Sequence, residues 1–290
     1  MEDAITYEDA IITAYREHGQ TLMRGDTTYR IIAEMMSKHT GSTRGKGGSM
    51  HYYNKKHNFY GGNGIVGAQI PVGTGIAFAM KYEGKKNVCV TMYGDGAANQ
   101  GQLYEAANMA GLWKLPVIYL LENNNYGMGT SVERASHYRP IMGKFRGYPA
   151  VKIDGMNIFA VREGMKFCKE YAIENGPMFV EMATYRYQGH SMSDPGISYR
   201  TKDEVTNVRS TKDCINYVKK VILDNQVASE EELKKIDKEI KNRIDEEVEK
   251  IRNDPFPPVE EMTRDIYTGE NPPFIRGVEY KDSIHNNSKY

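Results

Sequence analysis

The 290 residues carry 38 basic and 38 acidic side chains, a formal charge of zero, and 40% of them are apolar. This balance argues against nucleic acid or a membrane surface as partner, and no stretch is long and apolar enough to span a bilayer. The length fits one large α/β domain with extensions, and the scattered cysteines Cys89, Cys168 and Cys214 lack metal-ligand spacing and fit a reducing compartment.

Met1-Glu2-Asp3 opens an acidic stretch without a visible secretory signal or Arg-rich transit peptide. Residues 11–15 then read as a short strand, and 27–37 as a helix capped by Asp26 or Thr27. Arg44-Gly45-Lys46-Gly47-Gly48 reads as a mobile Gly-rich loop. Its basic residues could meet phosphate, although such a loop is more often a solvated connection. Residues 52–58 read as a surface loop. The stretch 59–69 is denser in glycine than a turn requires, and it leads into a Gly- and Ala-rich helix at 71–82. Small residues there allow close packing or the approach of a flat ligand.

Residues 87–93 and 115–121 are short apolar runs rich in Val, Ile and Tyr, which favours buried strands, and 101–113 between them has helical spacing. A strand-helix-strand unit makes its strands parallel. Gly94-Asp95-Gly96 and Asn123-Asn124 therefore fall at one sheet edge, where open parallel sheets bind ligands. An acid and an amide beside a phosphate suit magnesium or calcium. Gly94 and Gly96 let the backbone approach a diphosphate, and the start of the following helix offers amide donors. Each motif alone is an ordinary turn.

Strands are expected at 150–153 and 179–185 with a helix at 158–174 between them. The alternation predicts an α/β fold, a mainly parallel sheet with helices on both faces. The loop from Tyr185 to Arg200 adds arginines, a histidine, an acid and serines at the same edge. Arginine can grip phosphate bidentately and histidine titrates near neutral pH; a polar surface loop is the plain alternative. Beyond Asp203 come charged helices, including a capping box from Ser229 to Glu232 and a stripe of Leu233, Ile236, Ile240, Ile244, Val248 and Ile251. Such a stripe is more often packed on its own domain than in a coiled coil. Pro255, Pro257, Pro258, Pro272 and Pro273 break the remaining chain into an extended tail. The expected division is a ligand-binding α/β domain over 1–202, a helical extension over 203–253 and a Pro-containing tail over 254–290.

Gly-Asp-Gly followed across a strand-helix-strand unit by Asn-Asn resembles the thiamine diphosphate motif. Together with Ala14 to Gly19, Gly45 to His51, Gly61 to Gln69, Glu122 to Arg134 and Tyr185 to Arg200, it makes the chain resemble the α subunits of pyruvate dehydrogenase E1 components, from about Asp9 to the Pro-rich tail. The resemblance implies the thiamine diphosphate-binding fold. It also implies oxidative decarboxylation of pyruvate with reductive acetylation of lipoyl groups on E2, feeding acetyl-CoA formation.

By this resemblance, Asp95 and Asn124 bind Mg2+ through their side chains and Tyr126 through its carbonyl. Tyr15, Arg16 and Arg186 hold the diphosphate of thiamine diphosphate, Gly96 and Ala97 add backbone contacts, and Gly64 and Val66 meet the aminopyrimidine ring. His190 stands over the reactive carbon and assists proton and acyl transfer. Ser131, Ser191 and Ser198 match serines phosphorylated by a dedicated kinase.

The implied partners are an E1 β subunit in an α2β2 heterotetramer, which brings the glutamate that activates the aminopyrimidine, together with the E2 lipoyl domain, pyruvate dehydrogenase kinase and its phosphatase. The implied location is the mitochondrial matrix. The family also carries an N-terminal helical segment, with a further active-site histidine, ahead of the point matching Met1. Branched-chain 2-oxo acid and acetoin dehydrogenase α subunits share the cofactor frame, and a catalytically silent α-like chain is a third reading; the 191–200 loop and Gly61 to Gln69 favour pyruvate.

Overall fold

The computed structural model describes residues 1–14, 16–137 and 147–266. Its elements in chain order are β1 (Ala10–Thr13), α1 (His18–Met23), α2 (Thr28–Met35), β2 (Phe59–Gly62), α3 (Gln69–Tyr82), β3 (Cys89–Gly94), α4 (Gln102–Leu112), β4 (Val117–Asn123), the small hairpin β5 (Tyr126–Gly127) and β6 (Thr130–Ser131), α5 (Val132–Ala135), β7 (Ala150–Asp154), α6 (Ile158–Asn175), β8 (Met178–Ala183), α7 (Lys202–Lys212), α8 (Cys214–Asp224) and α9 (Glu230–Arg252).

Six strands form one sheet in the order β2-β1-β3-β4-β8-β7, and every pairing is parallel. Parallel strands need helical crossovers, so helices cover both faces. On one face Ile12, Tyr93, Tyr119 and Phe179 pack with Ile70 and Ala77 of α3 and Leu103 of α4. On the other, Ile11, Met92, Leu120 and Val180 meet Met165 and Cys168 of α6. Both faces of β3 and β4 are therefore buried, which is why their sequences run as unbroken apolar stretches rather than alternating ones. Burial pushes the thiols of Cys89 and Cys168 up to about 12, so both are inert core residues.

The expected α/β alternation is present, with shifted ends. β1 stops at Thr13 and β8 at Ala183, so the chain leaves each strand earlier than the sequence suggests. β2 lies inside the stretch read only as glycine-rich: Gly61 has φ +72°, and the close approach of Tyr52 carbonyl oxygen leaves no room there for a Cβ. The loop 52–58 is not a plain surface loop. Tyr52 is fully buried, Asn54 bridges to Phe59, and both Asn54 and His57 reach the Arg24 carbonyl oxygen.

The last turns of α9 dock on α2. Thr28 donates to Glu247 at 2.6 Å, Tyr29 donates to Asp254 at 2.6 Å, and Lys38 donates to the carbonyls of Arg252 and Asp254. Ile251 is buried, but Ile236 and Ile240 farther up the stripe stay exposed. Arg44 and Lys46 do not form a free phosphate loop. Both pair with Glu261 and Asp265 near the C-terminal end of the described chain. The loop carrying them is drawn around Glu34, whose carboxylate accepts backbone N–H groups from Thr43, Gly45 and Gly47.

Candidate functional site

β3 and β4 pair so that Gly94 faces Glu122. Asp95 and Asn124 thus leave adjacent strands at the carboxyl edge of the sheet, the edge at which ligands bind in such folds. Asp95 is only 4% exposed and its Oδ1 has no hydrogen-bond partner. Burial pushes its carboxyl above the usual carboxylate range, against the pull of the backbone N–H groups of Asp95 and Asn124 and the charge of Arg186. A buried, unpartnered carboxylate oxygen is costly unless a cation or proton compensates it. Among the described residues, no three His, Cys, Asp or Glu side chains cluster as a metal site. A cation at Asp95 must then draw on amide, carbonyl and ligand oxygens, a donor set that suits a hard ion.

The two loops are pressed together. A Cβ built on Gly96 would lie 3.2 Å from Gly127 Cα, and one built on Gly127 would lie 3.0 Å from Gly96 Cα. Glycine at both positions is what permits this approach. The helix starts within one residue of the expected 101: one 3₁₀ turn, Ala97–Asn99, follows Gly96, and α4 itself begins at Gln102. Asn99 Nδ2 donates to the Asp95 carbonyl at 3.2 Å and braces this turn. The amides near Gly96 and Ala97 therefore belong to a tight turn rather than to a helix start.

After β4 the chain turns sharply. Asn123 Oδ1 accepts the N–H of Asn125 at 3.1 Å, Asn124 Oδ1 accepts that of Tyr126 at 3.2 Å, and Asn125 adopts a left-handed φ of 70°. Asparagine tolerates that conformation because its short side chain satisfies the local backbone. The turn feeds the β5–β6 hairpin, and Ser131 caps α5 by accepting the Arg134 N–H at 3.4 Å.

Arg186 is buried beneath this hairpin. Its guanidinium donates to the Tyr126 carbonyl at 3.2 Å, the Met128 carbonyl at 2.8 Å, the Gln188 carbonyl at 3.2 Å and the Tyr199 hydroxyl at 2.6 Å. With five N–H groups and four of these contacts, little of the fork is left for a phosphate. Here Arg186 is a brace between the 126–128 turn and the 188–199 loop. Asp194 organises that loop: it accepts from the N–H of His190 at 2.7 Å, from Tyr199 hydroxyl at 2.6 Å and from the N–H of Gly196 at 2.8 Å. These bonds hold its carboxyl down to about 2. Arg200 closes the base of the loop on the carbonyls of Gly196, Arg186 and Gln188. Burial, then Arg186 and Arg16, push the His190 imidazole below 6.5, so near neutral pH it is largely uncharged and able to accept a proton.

On the β1 and β2 side, Arg16 reaches the His190 carbonyl at 3.4 Å, and Tyr15 lies outside the described residues. Gly64 stands against the His51 ring, whose Nδ1 lies 3.1 Å from the Gly62 carbonyl oxygen, while Val66 is 58% exposed at the mouth. Sequence reasoning missed Glu17 and Glu122. Glu17 is fully buried behind Gly62, and burial pushes its carboxyl up to about 8 against the Tyr52 N–H it accepts. Burial likewise pushes Glu122 up to about 7, against the charge of Arg16. The available signals were weak: Glu17 directly precedes α1, four residues after β1, and Glu122 is the penultimate residue of β4.

The site is thus built of loops from five strand ends and gathers Arg16, Gly64, Asp95, Asn124, Arg186 and His190 along one edge. Comparison with known proteins gives this edge a family. A profile described as dehydrogenase E1 component matches residues 1–260. The mitochondrial pyruvate dehydrogenase E1 component subunit alpha of Dictyostelium discoideum is 52% identical over 285 residues, covering 98% of this chain and 74% of that protein. A probable pyruvate dehydrogenase E1 component subunit alpha from Caenorhabditis elegans is also 52% identical, covering 98% and 71%. The somatic human form is 51% identical over 279 residues, covering 96% and 71%. Agreement of this extent, over nearly the whole chain, means that the chain belongs to the dehydrogenase E1 component family.

Proposed function

We propose that this chain is the α subunit of a pyruvate dehydrogenase E1 component, working with a β subunit in the mitochondrial matrix. It uses thiamine diphosphate in the decarboxylation of pyruvate and passes the acetyl group to a lipoyl group of E2. The observation that carries the site assignment is the buried Asp95 carboxylate, whose Oδ1 lacks a partner beside Asn124 at the ends of β3 and β4. The identity with mitochondrial relatives supports the substrate and the compartment.

Within this reading Asp95, Asn124 and the Tyr126 carbonyl hold magnesium against the diphosphate. Arg186 supports the metal indirectly, because it grips the Tyr126 carbonyl and fixes where that oxygen stands. Tyr15 and Arg16 meet the diphosphate, with backbone contacts from Gly96 and Ala97, and the backbone of Gly64 and Val66 meets the aminopyrimidine. The bound cofactor supplies the electron sink for decarboxylation. His190, neutral and half-buried on a loop fastened by Asp194, accepts and returns a proton at its imidazole and helps exclude water. The acid that activates the aminopyrimidine comes from the β subunit. The exposed apolar residues Ile65, Val66, Val72 and Phe78, near the mouth and on α3, fit an interface with that subunit.

Ser191 and Ser198 are exposed on the His190 loop, and Ser131 caps α5. A kinase and an opposing phosphatase acting on them fit this placement. A phosphate on Ser191 brings about −1.5 to −2 charges close to Asp194, which repels the acid that fastens the loop. The decisive experiment is co-expression with a matching β subunit and an assay of pyruvate decarboxylation with thiamine diphosphate and magnesium. Turnover of pyruvate is expected. A well-formed complex with no turnover overturns the reading, and a preference for branched 2-oxo acids moves the chain to the branched-chain α subunits.

A further inference from the structure

Behind the turn that carries Asn124, a buried acid stands in a strand whose other residues are all apolar. Glu181 of β8 pairs in register with Leu121 of β4 on one side and Lys152 of β7 on the other, on the same sheet face as Asn123. It is 2% exposed. Its Oε1 accepts Asn123 Nδ2 at 3.0 Å and Lys152 Nζ at 3.0 Å. Asn123 uses the rest of its polar capacity on the turn: its Oδ1 accepts the Asn125 N–H, and its carbonyl accepts the Thr184 N–H at 2.9 Å.

We propose that Glu181 is a positioning residue for the cation site: by accepting from Asn123 Nδ2 it fixes the orientation of that amide, and so the turn that presents Asn124 and the Tyr126 carbonyl. An asparagine amide can be flipped, exchanging its donor and acceptor ends. An ionised carboxylate has only acceptors, so Asn123 must offer its NH2 inward and its oxygen to Asn125. In the flipped amide, two acceptors face each other at Glu181 and two donors face each other at Asn125. An apolar residue at 181 permits both orientations, whereas a glutamine whose oxygen is held by Lys152 Nζ still presents an acceptor to Asn123. Lys152 supplies the counter-charge from the exposed side. The proposal rests on the reading of Asp95 and Asn124 as cation ligands, and it adds a residue that touches neither metal nor cofactor.

The test is calorimetric titration of magnesium into the α/β complex in the presence of thiamine diphosphate, with the thermal midpoint of each ligand-free complex as the measure of folding. Glu181→Leu is expected to weaken magnesium binding by about tenfold or more, the usual scale for groups that orient a ligand set, at a nearly unchanged midpoint. Glu181→Gln, which keeps one acceptor oxygen, is expected to recover most of the loss. Wild-type magnesium affinity in a folded Glu181→Leu complex overturns the proposal. Equal losses in Glu181→Leu and Glu181→Gln overturn it too, since they trace to charge and not to amide orientation. Should Glu181→Leu not assemble, Asn123→Asp, which sets two carboxylates face to face, is expected to lose affinity, and an unaltered affinity there overturns the proposal. Asp95→Ala separates the two levels. If it abolishes magnesium binding while Glu181→Leu keeps wild-type affinity, only the role of Glu181 falls; if it binds magnesium normally, the cation reading falls and this proposal with it.

Discussion

At the residue scale, Asp95 and Glu17 are both buried acids at the carboxyl edge, yet they respond oppositely to neutralisation. In the proposed site Asp95 acts as an anion. Asp95→Asn is expected to lower magnesium-dependent affinity for thiamine diphosphate by more than about 100-fold, read by calorimetry. The ligand-free midpoint should hold or rise, because a carboxylate oxygen without a partner is removed. Glu17 is needed neutral. Its carboxyl ionises near 4.5 in the unfolded chain and near 8 in the fold. Its stabilising contribution is therefore full below about pH 4.5 and is lost as pH rises toward about 8. Glu122 acts in the same sense, with its folded value at about 7. Glu17→Gln should thus gain midpoint over the parent chain as pH is raised from about 5 to about 8, and an unchanged difference across that range counts against a buried neutral acid.

At the element scale, the parts legible in sequence were those whose physics is local. The apolar runs of β3 and β4, the alternation that sets the parallel sheet, and the capping box of α9 all lie within short windows. That box is present in full, with Ser229 Oγ accepting the Glu232 N–H and the Glu232 carboxylate accepting the Ser229 N–H. Ser229→Ala is expected to cost about 1 kcal/mol, seen as a lower midpoint in denaturant titration. Two of the elements that were not legible show the physical reason. β2 has four residues, two of them glycine, and it exists because β1 offers an open edge. α1 has six residues and only Thr21 buried, so it leaves almost no periodic signal. The site divided in the same way. Asp95, Asn124 and His190 lie in recognisable strings, whereas Glu17, Glu122, Glu181 and Asp194 matter through neighbours distant in sequence or through burial, which composition does not display.

At the scale of the whole molecule, the C-terminal part is held to the sheet domain by charge as well as by packing. Glu261 is buried against Arg44, Lys46 and Arg264, which outweigh its desolvation and hold its carboxyl down to about 2. A depressed acid contributes above its unfolded value of 4.5 and loses that contribution as pH falls toward about 2. Limited proteolysis of the segment after Asp254 should accordingly accelerate in acid. Glu261→Gln should show faster cleavage already at neutral pH, and an unchanged cleavage rate in that variant counts against the charge clamp. On the opposite flank, the exposed aromatic cluster of Phe78, Tyr82 and Trp113 leaves α3 and α4 with a face suited to a partner subunit.

The contact between Gly96 and Gly127 reaches beyond local packing. Two loops that touch through bare backbone cannot be edited separately, since neither has a side chain that could shorten or turn aside to absorb a change in the other. Gly127→Ala should perturb magnesium binding much as a change at Gly96 does, and calorimetry of both variants checks that equivalence. For anyone grafting this edge onto another scaffold, or recombining it with a distant relative, residues 95–101 and 124–128 travel as one cassette: a chimera that takes only one of them inherits a mismatched hinge where two halves of a clasp should meet.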